Sequence, residues 1–258
     1  MAKIAAETTS APQVKPALGS TAAPEEIAHF AAIAEQWWDP TGDFKPLHKF
    51  NPARLAFLRD RLAAHFGRDP KAERPFEGLT LIDIGCGGGL IAEPMARLGF
   101  TVTGIDAGEK NIGVAKVHAA AGGLDIDYRV ATPEQLNGES FDVVLAMEVI
   151  EHVADPETFM NAVAALAKPG APVFAATINR SVKGFALAII GAEYILRWLP
   201  RGTHDWRKFF KPAELARLMR NSGIVVRDMR GFSYSLTTDE WRVTDDLDVN
   251  YAIFGVKE

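Results

Sequence analysis

Residues 79–106 constrain the fold of this chain more than any other stretch. Leu79–Ile84 is a short apolar run with the β-branched character of a buried strand. Gly85, Gly87, Gly88 and Gly89 follow at once, where a chain leaving a strand turns sharply and lets a ligand approach its backbone. Leu90–Leu98 then reads as a helix whose unpaired N-terminal amides face that ligand. A second strand, Thr101–Ile105, ends in Asp106, about twenty residues further on, where a carboxylate accepts hydrogen bonds from two ribose hydroxyls. The block predicts a cofactor with a nucleoside moiety, bound at the carboxyl end of a parallel strand.

Gly87-Gly-Gly89-Leu-Ile-Ala92 also fits the relaxed dinucleotide fingerprint, so nicotinamide enzymes share this architecture. Asp83 separates the two readings. Asp83-Ile-Gly85-Cys-Gly87-Gly-Gly89 sets a carboxylate at the end of the strand, where it favours cations and repels a pyrophosphate. The run resembles the first motif of class I S-adenosylmethionine-dependent methyltransferases, Asp/Glu-x-Gly-x-Gly-x-Gly, whose cofactor carries an ammonium and a sulfonium in place of phosphates. Asp83, Gly85, Gly87 and Asp106 are accordingly expected to bind cofactor.

A chain of 258 residues accommodates one substantial domain with extensions, and its net charge of −5 points away from nucleic acid as a partner. The single cysteine, Cys86, cannot form an internal disulfide, which suits a reducing compartment. Residues 1–24, rich in Ala, Pro, Thr and Ser, read as a disordered tail without the apolar core of a secretory signal. The first arginine is Arg54, so a mitochondrial presequence is not expected and a bacterial cytoplasmic enzyme is. Residues 25–78 are expected to form an N-terminal helical cap. Its second helix spans Pro52–Phe66, with Asn51 as N-cap and Pro52 at the first position. From residue 79 to 258, strands near 79–84, 101–105, 126–130, 141–146, 171–177, 224–230 and 249–256 alternate with helices. That alternation predicts a seven-stranded, mostly parallel, Rossmann-like α/β sheet with helices on both faces. A helical insertion, 179–211, follows the fifth strand.

The fourth strand ends in Met147-Glu148-Val-Ile-Glu151-His152. Met147 is placed to pack on adenine or substrate, or to serve as core. Glu148, Glu151 and His152 fall on one face if a helical turn starts there. One reading is a hard-metal site, Mg²⁺ for example, that acidifies a catechol-like hydroxyl. A second makes His152 the general base that removes a phenolic proton. A third is an acidic helix start with a hydrogen-bonded histidine in the wall. In the insertion, apolar residues at 185, 189, 190, 196 and 199 are flanked by Arg180, Lys183, Arg197 and Arg201. This suits either a helix lying in a membrane interface across 183–200 or an ordinary core or dimer helix.

Several longer stretches resemble the bacterial ubiquinone-biosynthesis O-methyltransferases, which methylate demethylubiquinols and polyprenyl-hydroxyphenols. They are Trp37-Trp-Asp-Pro, Phe44-Lys-Pro-Leu-His-Lys-Phe-Asn-Pro-Ala-Arg54-Leu, Met147-Glu-Val-Ile-Glu-His-Val, Gly191-Ala-Glu-Tyr-Ile-Leu-Arg, Gly202-Thr-His-Asp-Trp and Asp248-Val-Asn-Tyr. The likeness runs from about residue 25 to the end. It implies S-adenosylmethionine contacts at Arg54, Gly85, Asp106 and Met147. In eukaryotic relatives the Glu-x-x-Glu-His group is associated with a divalent ion, which Glu148, Glu151 and His152 match. The substrates it implies are ring hydroxyls of polyprenylated phenols and quinols, met at the inner face of the membrane and within a ubiquinone-biosynthesis assembly. The alternatives are a methyltransferase of the same fold acting on another small phenol or lipid, and a noncatalytic cofactor-binding scaffold.

Overall fold

Two helices, α1 (Pro24–Ile33) and α2 (Lys45–Phe66), lead into an alternation of strand and helix. It runs β1 (Thr80–Ile84), α3 (Ala92–Arg97), β2 (Thr101–Asp106), α4 (Glu109–Ala121), β3 (Asp127–Val130), β4 (Val143–Met147), α5 (Pro156–Ala165) and β5 (Pro172–Ile178). A single turn, α6 (Val182–Gly184), then α7 (Pro212–Asn221) and strands β6 (Ile224–Ser235), β7 (Glu240–Thr244) and β8 (Asn250–Lys257) follow. The computed structural model describes residues 20–185, 206–235 and 237–258. The interfacial helix expected over 183–200 falls almost wholly outside them.

The strands form one sheet in the order β3-β2-β1-β4-β5-β8-β6-β7. β3 through β5 pair in parallel, whereas β8 is antiparallel to both β5 and β6. Chain order reverses between β1 and β4, and a crevice for ligands opens at the carboxyl ends there. Successive residues of a strand face opposite sides. Leu81 of β1 and Leu145 of β4 therefore join Phe57, Leu58 and Leu62 of α2 on one face. Ile82, Ile84 and Val144 join Phe159 and Val163 of α5 and Leu215 of α7 on the other. Asp83, two residues after Leu81, shares the α2 face. The second initial helix is thus a layer of the sheet's own core.

Three expectations change. The second helix begins at Lys45, with Pro46 in its first turn, so Pro52 lies inside it and Asn51 is not a cap. An interior proline removes a helix hydrogen bond at a cost of about 3 kcal/mol. Here the burial of Phe50, Ala53, Phe57 and Leu58 offsets it. Asn51 instead donates to the Leu90 carbonyl (2.6 Å) and accepts from Arg54 (2.8 Å). The sheet has eight strands among the described residues, because β6 runs on to Ser235 and turns into β7. Residues 20–23, expected within the disordered tail, lie against the sheet domain: Ala22 bridges Val153, and Ala154 N–H donates to the Thr21 carbonyl (2.8 Å).

Candidate active site

The glycine loop is fixed from below by its own backbone. Gly85 and Cys86 N–H both donate to the Ile105 carbonyl (2.8 and 2.9 Å), which draws the loop onto the end of β2. Gly85 has φ +69°, and a Cβ there would come within 1.9 Å of a Val149 methyl. Gly87 has φ +53°, and a Cβ would meet the Trp37 ring at 2.4 Å. Only glycine meets both demands, left-handed backbone and no room above it.

Asp106 closes this loop. Its carboxylate accepts from Gly87 N–H (3.0 Å), Gly108 N–H (2.7 Å) and the Asn111 amide (3.0 Å). The initial segment covers the same loop from above. Trp37 Nε1 donates to Asn111 Oδ1 (3.0 Å), and Trp38 Nε1 to the Gly88 carbonyl (2.9 Å). The Trp38 ring stacks on His118 at 3.5 Å, and His118 Nδ1 is 2.6 Å from the buried Glu93 carboxylate. Composition offered no signal for Asn111, which links the Trp37 indole to the Asp106 carboxylate.

A cavity of about 780 Å³ opens above the loop. Arg54, Asp83, Gly85, Gly87, Asp106 and Met147, the six residues singled out as cofactor contacts, all line it, as do Glu148, Glu151 and His152. Apolar wall residues come from α1 (Ile27, Phe30, Ile33), from Phe50 and from the β6–β7 hairpin (Phe232, Trp241). The hairpin is fastened to α2 by Lys49 on Asp239 (2.7 Å) and by Phe50 against Trp241 (4.6 Å). Its contribution had no sequence motif to announce it.

Opposite charges meet on the cavity floor. Arg54 is buried, with its guanidinium 4.8 Å from the Phe50 ring centre. Burial lowers its pKa against the support of Glu148 and Asp83. Burial raises Asp83 to about 7, more than the Arg54 charge restrains it. Burial also raises Asp106 and, together with the charge of Glu151, Glu148. Arg54 Nε, Asp83 Oδ2 and Glu148 Oε1 are buried without a hydrogen-bond partner. Unmatched buried polar atoms of both signs suit a ligand carrying its own ammonium and carboxylate, as S-adenosylmethionine does.

Glu148, Glu151 and His152 share the cavity but point to different partners. Glu148 sits at φ +58°, an uncommon conformation for a residue with a side chain. Glu151, buried, accepts from the Thr177 hydroxyl (2.8 Å). His152, on a short 3₁₀ turn (Ile150–His152), turns Nδ1 to Glu26 of α1 (3.0 Å). Among the described residues no three His, Cys, Asp or Glu side chains converge in a way that could hold a metal ion, so this trio does not fit the Mg²⁺ expectation. Burial disfavours the charged imidazole, but the Glu26 hydrogen bond and the charges of Glu151 and Glu26 outweigh it and raise the His152 pKa. The same hydrogen bond, helped by Lys208, lowers Glu26 to about 2. Glu26 was not singled out in the sequence, where it is one acid in the first turn of a helix.

A methyltransferase-domain family model matches residues 47–228. Among solved structures, magnesium protoporphyrin IX methyltransferase from Synechocystis PCC 6803 with bound SAH aligns over 90% of this chain and 100% of its own, with a TM-score of 0.62 at 16% identity. A possible histamine N-methyltransferase from Thermotoga maritima aligns over 91% and 99%, with a TM-score of 0.54 at 19% identity. At such identities the likeness is one of fold, that of class I methyltransferases. Sequence relatives are much nearer. A ubiquinone biosynthesis O-methyltransferase of Paramagnetospirillum magneticum is 60% identical over 92% of this chain and 96% of its own. One from Brucella anthropi is 56% identical over 89% and 94%. With likeness of that degree along nearly its whole length, the chain belongs to the ubiquinone biosynthesis O-methyltransferase family.

Proposed function

We propose that this chain transfers a methyl group from S-adenosylmethionine to ring hydroxyls of polyprenylated phenol or quinol intermediates in ubiquinone biosynthesis. The observation that carries the reading is the 60% identity to a relative of that name, spread over 92% of the chain. It is supported by a single cavity that gathers the cofactor-type residues and an apolar wall.

Bound S-adenosylmethionine supplies an electrophilic methyl group on its sulfonium. The residues of the chain then have three tasks. Asp106 receives the ribose hydroxyls, while Arg54 and Asp83 take the carboxylate and ammonium of the amino-acid end, with Gly85 and Gly87 leaving their backbone open to it. Met147 packs beside the reacting centre. The apolar wall from α1, Phe50, Phe232 and Trp241 excludes water and aligns the ring oxygen with the methyl group, the principal source of rate for such a transfer. His152 accepts the phenolic proton, since an oxygen attacks far faster as phenolate than as phenol.

The test is methyl transfer from labelled S-adenosylmethionine to a short-chain prenyl catechol, with and without a chelator. Transfer that survives chelation is expected. No transfer in either arm would refute the substrate reading, and transfer lost to chelator but restored by Mg²⁺ would refute direct proton removal by His152. Among the described residues no helix is long and apolar enough to cross a membrane. A polyprenyl substrate resides in lipid, and the apolar and basic residues of 183–200 suit a bilayer surface. We therefore extend the proposal to peripheral attachment at the inner face of the bacterial membrane, with the chain expected to co-sediment with anionic vesicles.

A further inference from the structure

Helix α1 has ten residues, none of them fully buried, and rests Phe30 and Ile33 against a small cluster of Ala34, Trp37, Phe44 and Leu90. Its long-range polar contacts gather around His152. Glu26 and Phe30, four residues apart, share one face of the helix. Glu26 Oε2 meets His152 Nδ1 at 3.0 Å, and the Phe30 ring stands edge-on to the imidazole at 5.2 Å. The other carboxylate oxygen, Oε1, accepts from Lys208 Nζ at 2.7 Å. Lys208 belongs to the short turn Trp206–Lys208 near the end of the 179–211 insertion. Just before α1, the bridge of Ala22 with Val153 holds the chain beside the residue after His152.

From this arrangement we propose that Glu26 is a positioning residue for methyl transfer, holding the His152 ring with Nδ1 outward and Nε2 left for the substrate hydroxyl. This rests on the reading of His152 as proton acceptor. An imidazole with both nitrogens free divides itself between two tautomers and several ring orientations. A carboxylate on Nδ1 selects the tautomer protonated there, and the edge of Phe30 restricts rotation. Among the described residues nothing hydrogen-bonds Nε2. The machinery is composite: the acceptor belongs to the sheet domain and its orienting group to the initial helix. Because Lys208 shares the same carboxylate, the last turn of the insertion is tied to the imidazole as well.

The test combines Glu26→Gln, His152→Ala and the double variant in the full-length chain, using the prenyl-catechol assay. Glu26→Gln is expected to lower kcat/KM roughly 10- to 100-fold, the worth of one charge-assisted hydrogen bond, with cofactor affinity unchanged. The double variant is expected to be no slower than His152→Ala alone. In ¹⁵N-histidine-labelled protein the Nδ1-bound proton of His152, identified by its absence in His152→Ala, should shift in Glu26→Gln. Wild-type turnover in Glu26→Gln, or the same fold-loss on the His152→Ala background, would overturn the proposal. Wild-type turnover in His152→Ala would show instead that the underlying reading of His152 is wrong.

Discussion

Replacing Asp83 by asparagine tests the electrostatics of the cavity floor. Burial raises this carboxyl from an ordinary 3.8 to about 7 despite the nearby Arg54 guanidinium. A group raised in this way keeps its proton in the folded chain over a range where the unfolded chain has released it. Between about pH 4 and pH 7 the folded state therefore binds more protons, and stability falls as pH rises. At about 1.36 kcal/mol per pH unit, the interval corresponds to about 4 kcal/mol of stability that is fully present below about pH 4 and fully lost above about pH 7. Asparagine keeps the shape and never ionises. Without cofactor, urea unfolding should show Asp83→Asn gaining about 3 kcal/mol on the wild type between about pH 4.5 and pH 8. Cofactor affinity should move the other way. The ammonium of S-adenosylmethionine favours ionised Asp83, so wild-type affinity climbs through pH 7 and the variant's does not. Parallel stability curves for the two proteins would refute the argument.

Gly85→Ala combines a left-handed backbone with a contact at 1.9 Å from Val149, and should lower stability by about 2–5 kcal/mol in thermal unfolding. Gly123→Ala, at φ +67° with nothing within 4 Å, is its control and should lose only about 1 kcal/mol. Asp106→Ala should weaken S-adenosylmethionine binding about 100-fold by calorimetry, and undiminished affinity would end its ribose role. Trp38→Ala removes a stacked ring and a hydrogen bond to the glycine loop. It should speed cofactor release roughly tenfold in stopped-flow fluorescence, and an unchanged off-rate would mean that the Trp38 contacts do not retain cofactor.

Legibility in the sequence followed how local the cause was. β1, the glycine loop and Asp106 were readable because strand, turn and acid succeed one another in a fixed order set by one ligand. All nine residues singled out do line one cavity, since strand ends in a parallel sheet converge there. What was misread depends on distant partners. Pro52 reads as a helix start unless the burial of Phe50 and Phe57 beneath the sheet is known. β7, with three charged or polar residues among five, owes its strand form to pairing with β6. Glu148, Glu151 and His152 are close together in sequence, but the hydrogen bonds of Glu151 to Thr177 and of His152 to Glu26 come from residues far along the chain. Glu26 itself lies 126 residues from His152, a distance no local pattern spans.

That separation also sets a timetable for synthesis. Helix α1 and the two tryptophans leave the ribosome early, but Lys208, which closes on Glu26, comes 182 residues later. At roughly 5–20 residues per second the interval is on the order of 10–40 s. Within it Trp38 waits for His118 and Phe30 for His152, and until those residues emerge the two rings are open to chaperones or to other nascent chains. Glu26 is thus made long before either of the two side chains that hold it.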